Sequence, residues 1–367
     1  MSSTDSSAKP VTNNDPIRKI LVALRTGVLS GIVSFLVGSL SQAQTPQSVT
    51  LAWDPSPDPT VVGYLVYYGN SSGNYTQSFD VGNATTATVS NLTAGQYFFV
   101  VTSYNSAGVE SAPSTVVTFP GTKDFLGTGQ ADLVWEDTTT GQRLIWIMQN
   151  GLPAYSINLP TVPAEWHIAG IGDFLGNGQA DLVWEDTITG QRLIWIMQNG
   201  VLASAINLPT VSTEWQIVGA GDFLGNGQAD LVWEDTITGQ RVIWIMQNGV
   251  LASTINLPTV STEWHIAGVG DFLGTGQAGL VWEDTTTGQR VIWIMQNGVL
   301  ASTINLPTVS TEWHIAGVGD FLGNGQAGLV WEDIATGQRV IWIMQSGALA
   351  STINLPTVPT EWHIVDH

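Results

Sequence analysis

Asp173, Asn177 and Asp181 fall within one short stretch, Gly-Asp-Phe-Leu-Gly-Asn-Gly-Gln-Ala-Asp, in which Gly176 and Gly178 let the chain turn sharply. Oxygen-bearing side chains grouped in a glycine-containing turn are the donors a hard cation such as calcium requires, and calcium takes about six to eight of them. The phrase recurs, beginning at Asp124, Asp173, Asp222, Asp271 and Asp320, always 49 residues apart. The copies are unequal. Asp222, Asn226 and Asp230 repeat the fuller set, Asp124 and Asp132 flank Thr128, and the last two copies carry Gly279 and Gly328 where the second aspartate stood.

Other repeated residues have chemical potential. Glu136-Asp137, Glu185-Asp186, Glu234-Asp235, Glu283-Asp284 and Glu332-Asp333 give each copy a pair of acids. A glycosidase needs two carboxylates in different environments across one bond. Acids repeated identically single out no such pair, so they read as exposed turns. The lone arginine of each unit (Arg143, Arg192, Arg241, Arg290, Arg339) reads as their exposed partner, contributing at most about 1 kcal/mol. Three tryptophans per unit, such as Trp184, Trp195 and Trp215, sit inside alternating segments, which favours core filling over sugar stacking. The chain has no phosphate loop ending in Gly-Lys and no His-Glu-x-x-His pair. An enzyme therefore has little to rest on.

The elements that must hold these residues follow from composition and pattern. The 367 residues leave room for two or three domains. Charged residues are only 11% against 40 glycines and 16 tryptophans, a balance that points to turn-rich β-structure. Residues 1–43 read as a signal peptide: Lys9, Arg18, Lys19 and Arg25 precede the apolar run Thr26–Leu40, and Ser41-Gln42-Ala43 offers a cleavage site. The competing reading is an uncleaved membrane anchor, but the run is shorter than the roughly 20 residues a spanning helix needs, so no membrane span is expected after cleavage. Cleavage removes four of ten basic and two of thirty acidic residues and leaves a net charge of −22. Such a polyanion disfavours nucleic acid and anionic lipid as partners. The chain has no cysteine, which excludes thiolate chemistry and disulfides.

From 44 to 120 short alternating segments, Ser48–Trp53, Gly63–Tyr68, Thr85–Val89, Gln96–Tyr104 and Thr115–Phe119, are separated by Pro, Gly, Asn and Ser. That pattern predicts a β-sandwich. Trp53, Tyr64, Tyr67 and the phrase Leu92-Thr93-Ala94-Gly95-Gln96-Tyr97 resemble a fibronectin type III domain, in which the later tyrosine makes a corner hydrogen bond.

From 121 to 367 the 49-residue period signals a propeller or other array. Each unit holds four strand-like pieces, in the second copy Trp166–Phe174, Leu182–Asp186, Arg192–Gln198 and Ala203–Leu208, which is one propeller blade. The first unit lacks its leading strand, and an orphan copy, Glu361-Trp362-His363-Ile364-Val365, stands at the C-terminus. The expected fold is all-β: a fibronectin type III-like sandwich followed by a five-bladed β-propeller of four-stranded blades closed by the C-terminal strand. A monomer follows if the ring closes on itself, and the competing arrangement is an arc that closes by dimerising. His167, His265, His314 and His363 share one position of the innermost strand with Gln216, and are expected to line the channel rather than to bind a metal.

The order Gly-Asp-Phe-x-Gly-x-Gly, Val-Trp-Glu-Asp, Thr-Gly-Gln-Arg, Ile-Trp-Ile-Met-Gln and Glu-Trp-His-Ile resembles FG-GAP-like or VCBS repeats, related to the integrin alpha propeller. The resemblance implies loops that bind calcium through side chains at positions one, three, five and nine and a carbonyl at seven. Position three is leucine in every copy (Leu126, Leu175, Leu224, Leu273, Leu322). The candidate ligands are therefore Asp173, Asn177 and Asp181, Asp222, Asn226 and Asp230, with Asp124 and Asp132, and any calcium is expected to be weak and structural. The resemblance implies a secreted or cell-surface binding and adhesion protein whose partner is an extracellular polymer, glycan or surface protein. The alternative is a lectin with one carbohydrate site per blade.

Overall fold

The computed structural model describes residues 20–23, 47–70, 73–92, 97–114, 116–119, 123–323, 325–359 and 361–365. The expected leader lies outside them except for Ile20–Ala23, which pairs as a short strand with Gln47–Trp53. Among the described residues no helix is long and apolar enough to cross a membrane.

The first region is a two-layer sandwich. Gln47–Trp53 and Thr86–Leu92 share one sheet, and Gln77–Asp80, Val61–Gly69, Tyr97–Asn105 and Val117–Phe119 form the other. Alternation along these strands sends Val49, Leu51, Trp53, Tyr64, Val66, Phe99 and Val101 into a common core. The Trp53 and Tyr64 rings meet edge to face at 5.7 Å. Gln77–Asp80 was not foreseen, because its largely exposed Gln-Ser-Phe-Asp carries no apolar alternation.

The repeat region is built of four-stranded antiparallel sheets with a propeller-like arrangement. In the second repeat the strands are Trp166–Gly172, Asp181–Asp186, Arg192–Gln198 and Val201–Asn207, within a few residues of the sequence-based pieces. Asp181–Asp186 is buried throughout because neighbours cover both its faces. Leu182 and Trp184 pack on Phe125, Val134 and Ile145 of the preceding sheet, and Val183 packs with Leu231 and Trp233 of the following one. The sheet of the first repeat, Leu133–Asp137, Arg143–Gln149 and Leu152–Asn158, gains its fourth strand from Trp362–Ile364, with Ile364 opposite Trp135. Trp135 and Leu133 of that sheet also pack against Val330, Ile341 and Leu355 of the fifth repeat.

Backbone contacts repeat the same linkage. The Ala180, Ala229, Ala278 and Ala327 amides donate to the carbonyls of Asp124, Asp173, Asp222 and Asp271 in the preceding sheet, and Ala131 donates to Asp320. The innermost strands approach closely, so that a Cβ on Gly172 would sit 2.5 Å from Ala229 Cβ.

The acid and arginine of each unit are not an exposed pair. Glu234 and Arg241 are 6% and 1% exposed and meet at 2.9 Å. Arg241 Nη1 also donates to the carbonyls of Gly239 at 2.9 Å and Val260 at 2.7 Å, and Nη2 donates to Trp264 at 2.6 Å. Its guanidinium lies over the Trp282 ring of the next sheet at 5.0 Å. One arginine thus grips its own sheet, the chain leading to the next and the core tryptophan of the next. The series runs Arg143 on Trp184, Arg192 on Trp233, Arg241 on Trp282, Arg290 on Trp331 and Arg339 on Trp135. The expectation of solvent-screened pairs worth at most about 1 kcal/mol fails because both partners are desolvated.

The turn between third and outer strands is a two-residue hairpin. Asn199 and Gly200 have φ of 51° and 73°, the left-handed pair that matches strand twist. Ser346 replaces the asparagine in the last copy at φ 50°, without the amide side chain that tolerates this region. Ser346→Asn is expected to raise stability by about 0.5–1 kcal/mol in denaturant unfolding. For the clamp, Arg241→Met leaves Glu234 buried and unpaired and is expected to cost roughly 3–5 kcal/mol, whereas adding Glu234→Met recovers a large part of the loss. A double variant as unstable as the single one would refute the assignment of that cost to unpaired charge.

Candidate functional site

The loop aspartates come together as foreseen, but their oxygens face amides. Asp173 accepts from the backbone N–H of Leu175 at 3.2 Å, Asn177 at 3.1 Å and Gly178 at 2.6 Å. Asp181 accepts from Phe174 N at 3.1 Å through one oxygen and Met197 N at 2.8 Å through the other, tying the loop to the third strand. Asn177 Oδ1 accepts from Gln179 N at 2.9 Å, the side-chain turn asparagine favours.

The third loop repeats this. Asp222 accepts from Leu224, Gly225, Asn226 and Gly227, Asp230 from Phe223 and Met246, and Asn226 from Gln228. In the first loop Asp124 accepts from Leu126 and Gly129, and Asp132 from Phe125 and Met148. Asp271 accepts from Leu273, Gly274 and Gly276, and Asp320 from Gly325, while Asn324 lies outside the described residues.

These residues do not fit a calcium ion well. The second and third loops each offer three side chains of suitable type, short of the six or more oxygens required, and every one of those side chains already accepts from the loop backbone. Among the described residues no group of three or more His, Asp or Glu is placed to hold a metal. In the fourth and fifth copies the backbone leaves no room for a side chain at this position. A Cβ on Gly279 would lie 2.6 Å from the Trp293 carbonyl, and one on Gly328 2.6 Å from that of Trp342.

The aspartates border a cavity of about 60 Å³ between the loops of the repeat region, lined by Asp173, Asp222, Asp271 and Asp320 with Ala220 and Val269. Small-molecule sites begin near 300 Å³, so the space suits water rather than a substrate. Phe98 of the sandwich and Lys123 line it too, and Val116 N donates to Gly274 O at 2.8 Å. The sandwich therefore sits over this end.

None of the histidines lines the cavity, contrary to expectation. His265, His314 and His363 stand partly exposed at the sheet seams, with Nδ1 at 3.7, 3.2 and 3.4 Å from Glu234, Glu283 and Glu332 of the preceding sheet. They occupy the beginning of the innermost strand, and the cavity lies at its end. The seam glutamates were paired with the right arginines but read as exposed, because the groups that bury them, such as Ile217 against Glu185, lie in the following repeat.

With this geometry in place, residues 38–119 match the family model of the fibronectin type III domain. The sandwich is a fibronectin type III domain. Over 72 residues the chain is 42% identical to a Kelch domain-containing protein of Saccharolobus solfataricus, a stretch that covers 19% of this chain and 9% of that protein. Among solved structures, a quinonprotein alcohol dehydrogenase-like protein from Bacteroides thetaiotaomicron is similar at 9% identity and a TM-score of 0.32, covering 87% of this chain and 94% of the other. Apo AztD from Citrobacter koseri is similar at 10% identity and a TM-score of 0.27, covering 83% and 98%. At these scores neither likeness bears on activity.

The loop carboxyls are held above the ordinary carboxylate range. Burial, only partly offset by the amides, pushes Asp124, Asp173, Asp222 and Asp271 up to about 6, and Asp181 and Asp230 to about 7. Burial and then the Asp124 charge push Asp132 up to about 8. The unfolded chain releases these protons near pH 4 and the folded chain between about pH 6 and 8, so folding binds protons across this window. Their contribution to stability therefore falls as pH rises from about 4 to about 8. In divalent-free buffer the melting temperature is expected to be lower at pH 8 than at pH 5, and Asp132→Asn to make the slope shallower. A melting temperature that rises steadily from pH 5 to 8 would overturn this.

Proposed function

We propose that the chain is an exported, non-catalytic binding protein in which five four-stranded blades close into a ring, latched by Trp362–Ile364, and present repeated equivalent surfaces to a repetitive extracellular partner. Closure is supported by the contacts that join the fifth sheet to the first, Arg339 on Trp135 and Ala131 to Asp320. The observation that carries the functional reading is the outward repetition. The outer strands Val201–Asn207, Val250–Asn256 and Val299–Asn305 share one pattern, in which Val201, Val250 and Val299 are 62%, 60% and 62% exposed. Identical weak sites at fixed spacing suit a polymer, since each further engagement is intramolecular and multiplies retention.

The acids point the same way. The seam glutamates are committed to arginine and the loop aspartates to amides, so neither set is poised as an acid and base pair. In this reading the loops are aspartate-held turns, and calcium has at most a weak structural part. Secretion or surface display rests on the leader-like residues 1–43 and the high negative charge.

The test is retention on arrays of polysaccharides, glycans and extracellular matrix proteins, with and without calcium, alongside a panel of glycoside and ester substrates. Retention on a polymer without turnover is the expected result. Lysine at Val201, Val250 and Val299 together should lower it tenfold or more. Turnover of any substrate, or no retention on any surface, overturns the proposal, and competition by a free monosaccharide would convert it to the lectin alternative.

A further inference from the structure

Lys123 is the first described residue after the fibronectin type III domain, and its surroundings are unusual for a lysine. It is only 3% exposed, and its backbone has φ of 60°, the left-handed region that disfavours side chains other than Gly, Asn and Asp. Its carbonyl accepts from Asp132 N at 2.9 Å, which fixes the chain as it enters the first loop. Lys123 lines the cavity together with Asp173, Asp222, Asp271, Asp320 and Phe98. Four loops thus each bring an aspartate to a space whose lining contains one basic residue.

The charges elsewhere sharpen the point. Of the six basic residues beyond 43, the five arginines are each paired with a seam glutamate. The acidic end of the repeat region has Lys123 and no arginine. A lysine is almost never buried without anionic partners, and backbone strain is retained only where the surroundings over-determine it. Both facts are explained if the ring of aspartates holds the ammonium.

We propose that Lys123 is the resident cation of this mouth: it neutralises the aspartate ring from within, as a bound metal ion would, and locks the fibronectin type III domain over the end of the repeat array. The loops' lack of a full calcium donor set is then coherent, because one covalently attached charge serves several of them at once. The lock also shuts this end of the axis, leaving the rim and the opposite face to partners.

The experiment compares melting of the full chain as wild type, Lys123→Met and Lys123→Arg, each in chelator and in 5 mM calcium as the probe on the order of its weakest protein sites. The expected results are no calcium shift for wild type, a fall of roughly 5–10 °C for Lys123→Met in chelator, partial recovery of that variant by calcium, and a smaller fall for Lys123→Arg. A Lys123→Met chain that folds only in calcium supports the proposal, as does one that fails in both buffers while Lys123→Arg folds. Equal melting of Lys123→Met and wild type overturns it. So does an equal loss for the Met and Arg variants, since packing rather than charge would then be at stake, or a wild-type calcium shift as large as the variant's. None of these outcomes depends on whether a polymer is bound.

Discussion

The repeat region depends on one interaction, the buried guanidinium that joins each sheet to the next. A buried ion pair is by itself weak support, because desolvation of both charges can exceed their attraction. Here the arginine is offset by further bonds: Arg290 donates to Glu283, Gly288 and Val309 and to the Trp313 carbonyl, and lies over Trp331. Those acceptors come from two sheets and the chain between them, so the bonds form together or not at all. The glutamate extends the coupling, since Glu185 Oε2 accepts Ile217 N from the following sheet at 3.1 Å. Apolar packing between sheets tolerates sliding, whereas this arrangement fixes the angle and height of each sheet against its neighbour. The arginine Nε atoms and the core tryptophan Nε1 atoms remain buried without partners, a cost repeated at every seam that the well-bonded part of the clamp must exceed.

The loop aspartates solve a related problem at the axis. A tight turn between two buried strands leaves several amides facing inward with no strand to bond. Asp222 takes four of them with one carboxylate. That carboxylate must then be buried, and burial raises its proton affinity. The turns therefore concentrate negative character around a narrow axis whose inner strands are too close for larger side chains. A counter-charge there must be small or supplied by the chain, and the linker enters at this point.

Much of this was legible in the sequence. The period, the four strands per unit, the displaced leading strand and the asparagine-glycine turns are local patterns, and local patterns survive folding. Burial of Trp184 and its equivalents could be read from alternation. The clamp could not. Glu185-Asp186 precedes a Thr-Ile-Thr-Gly turn, and acids before a turn look solvated. Neither is: Asp186 is buried against its own turn, its carboxyl held low by the Thr189 hydroxyl and amide, while Glu185 turns into the seam. The partner carbonyl of Trp215 lies 23 residues from Arg192, a separation that no helical or strand period marks. The histidines were misplaced for the complementary reason. Their strand was identified, but which of its ends faces the cavity depends on how the sheets tilt.

The copies within the chain act as an internal comparison of constraint. Several positions that differ among them act within one loop or at a partly exposed seam: Asn177 against Thr275, Asp181 against Gly279, His265 against Gln216. Several positions that never differ reach across a seam. Glu185, Arg192 and Trp184 recur unchanged in all five copies, and each contacts a neighbouring sheet through its side chain: Glu185 accepts from Ile217 N, Arg192 lies over Trp233, and Trp184 lies under Arg143. The first loop aspartate is equally invariant although the fifth and ninth positions of its loop vary, and it too crosses a seam, because its carbonyl receives the alanine amide of the next sheet. At these positions invariance goes with contact between sheets. A loop kept for metal would lose its ligands together, as a set. Here the ninth position has gone from two copies while the first persists in all five, as expected where the first position is held by assembly of the array and the ninth only by its own turn.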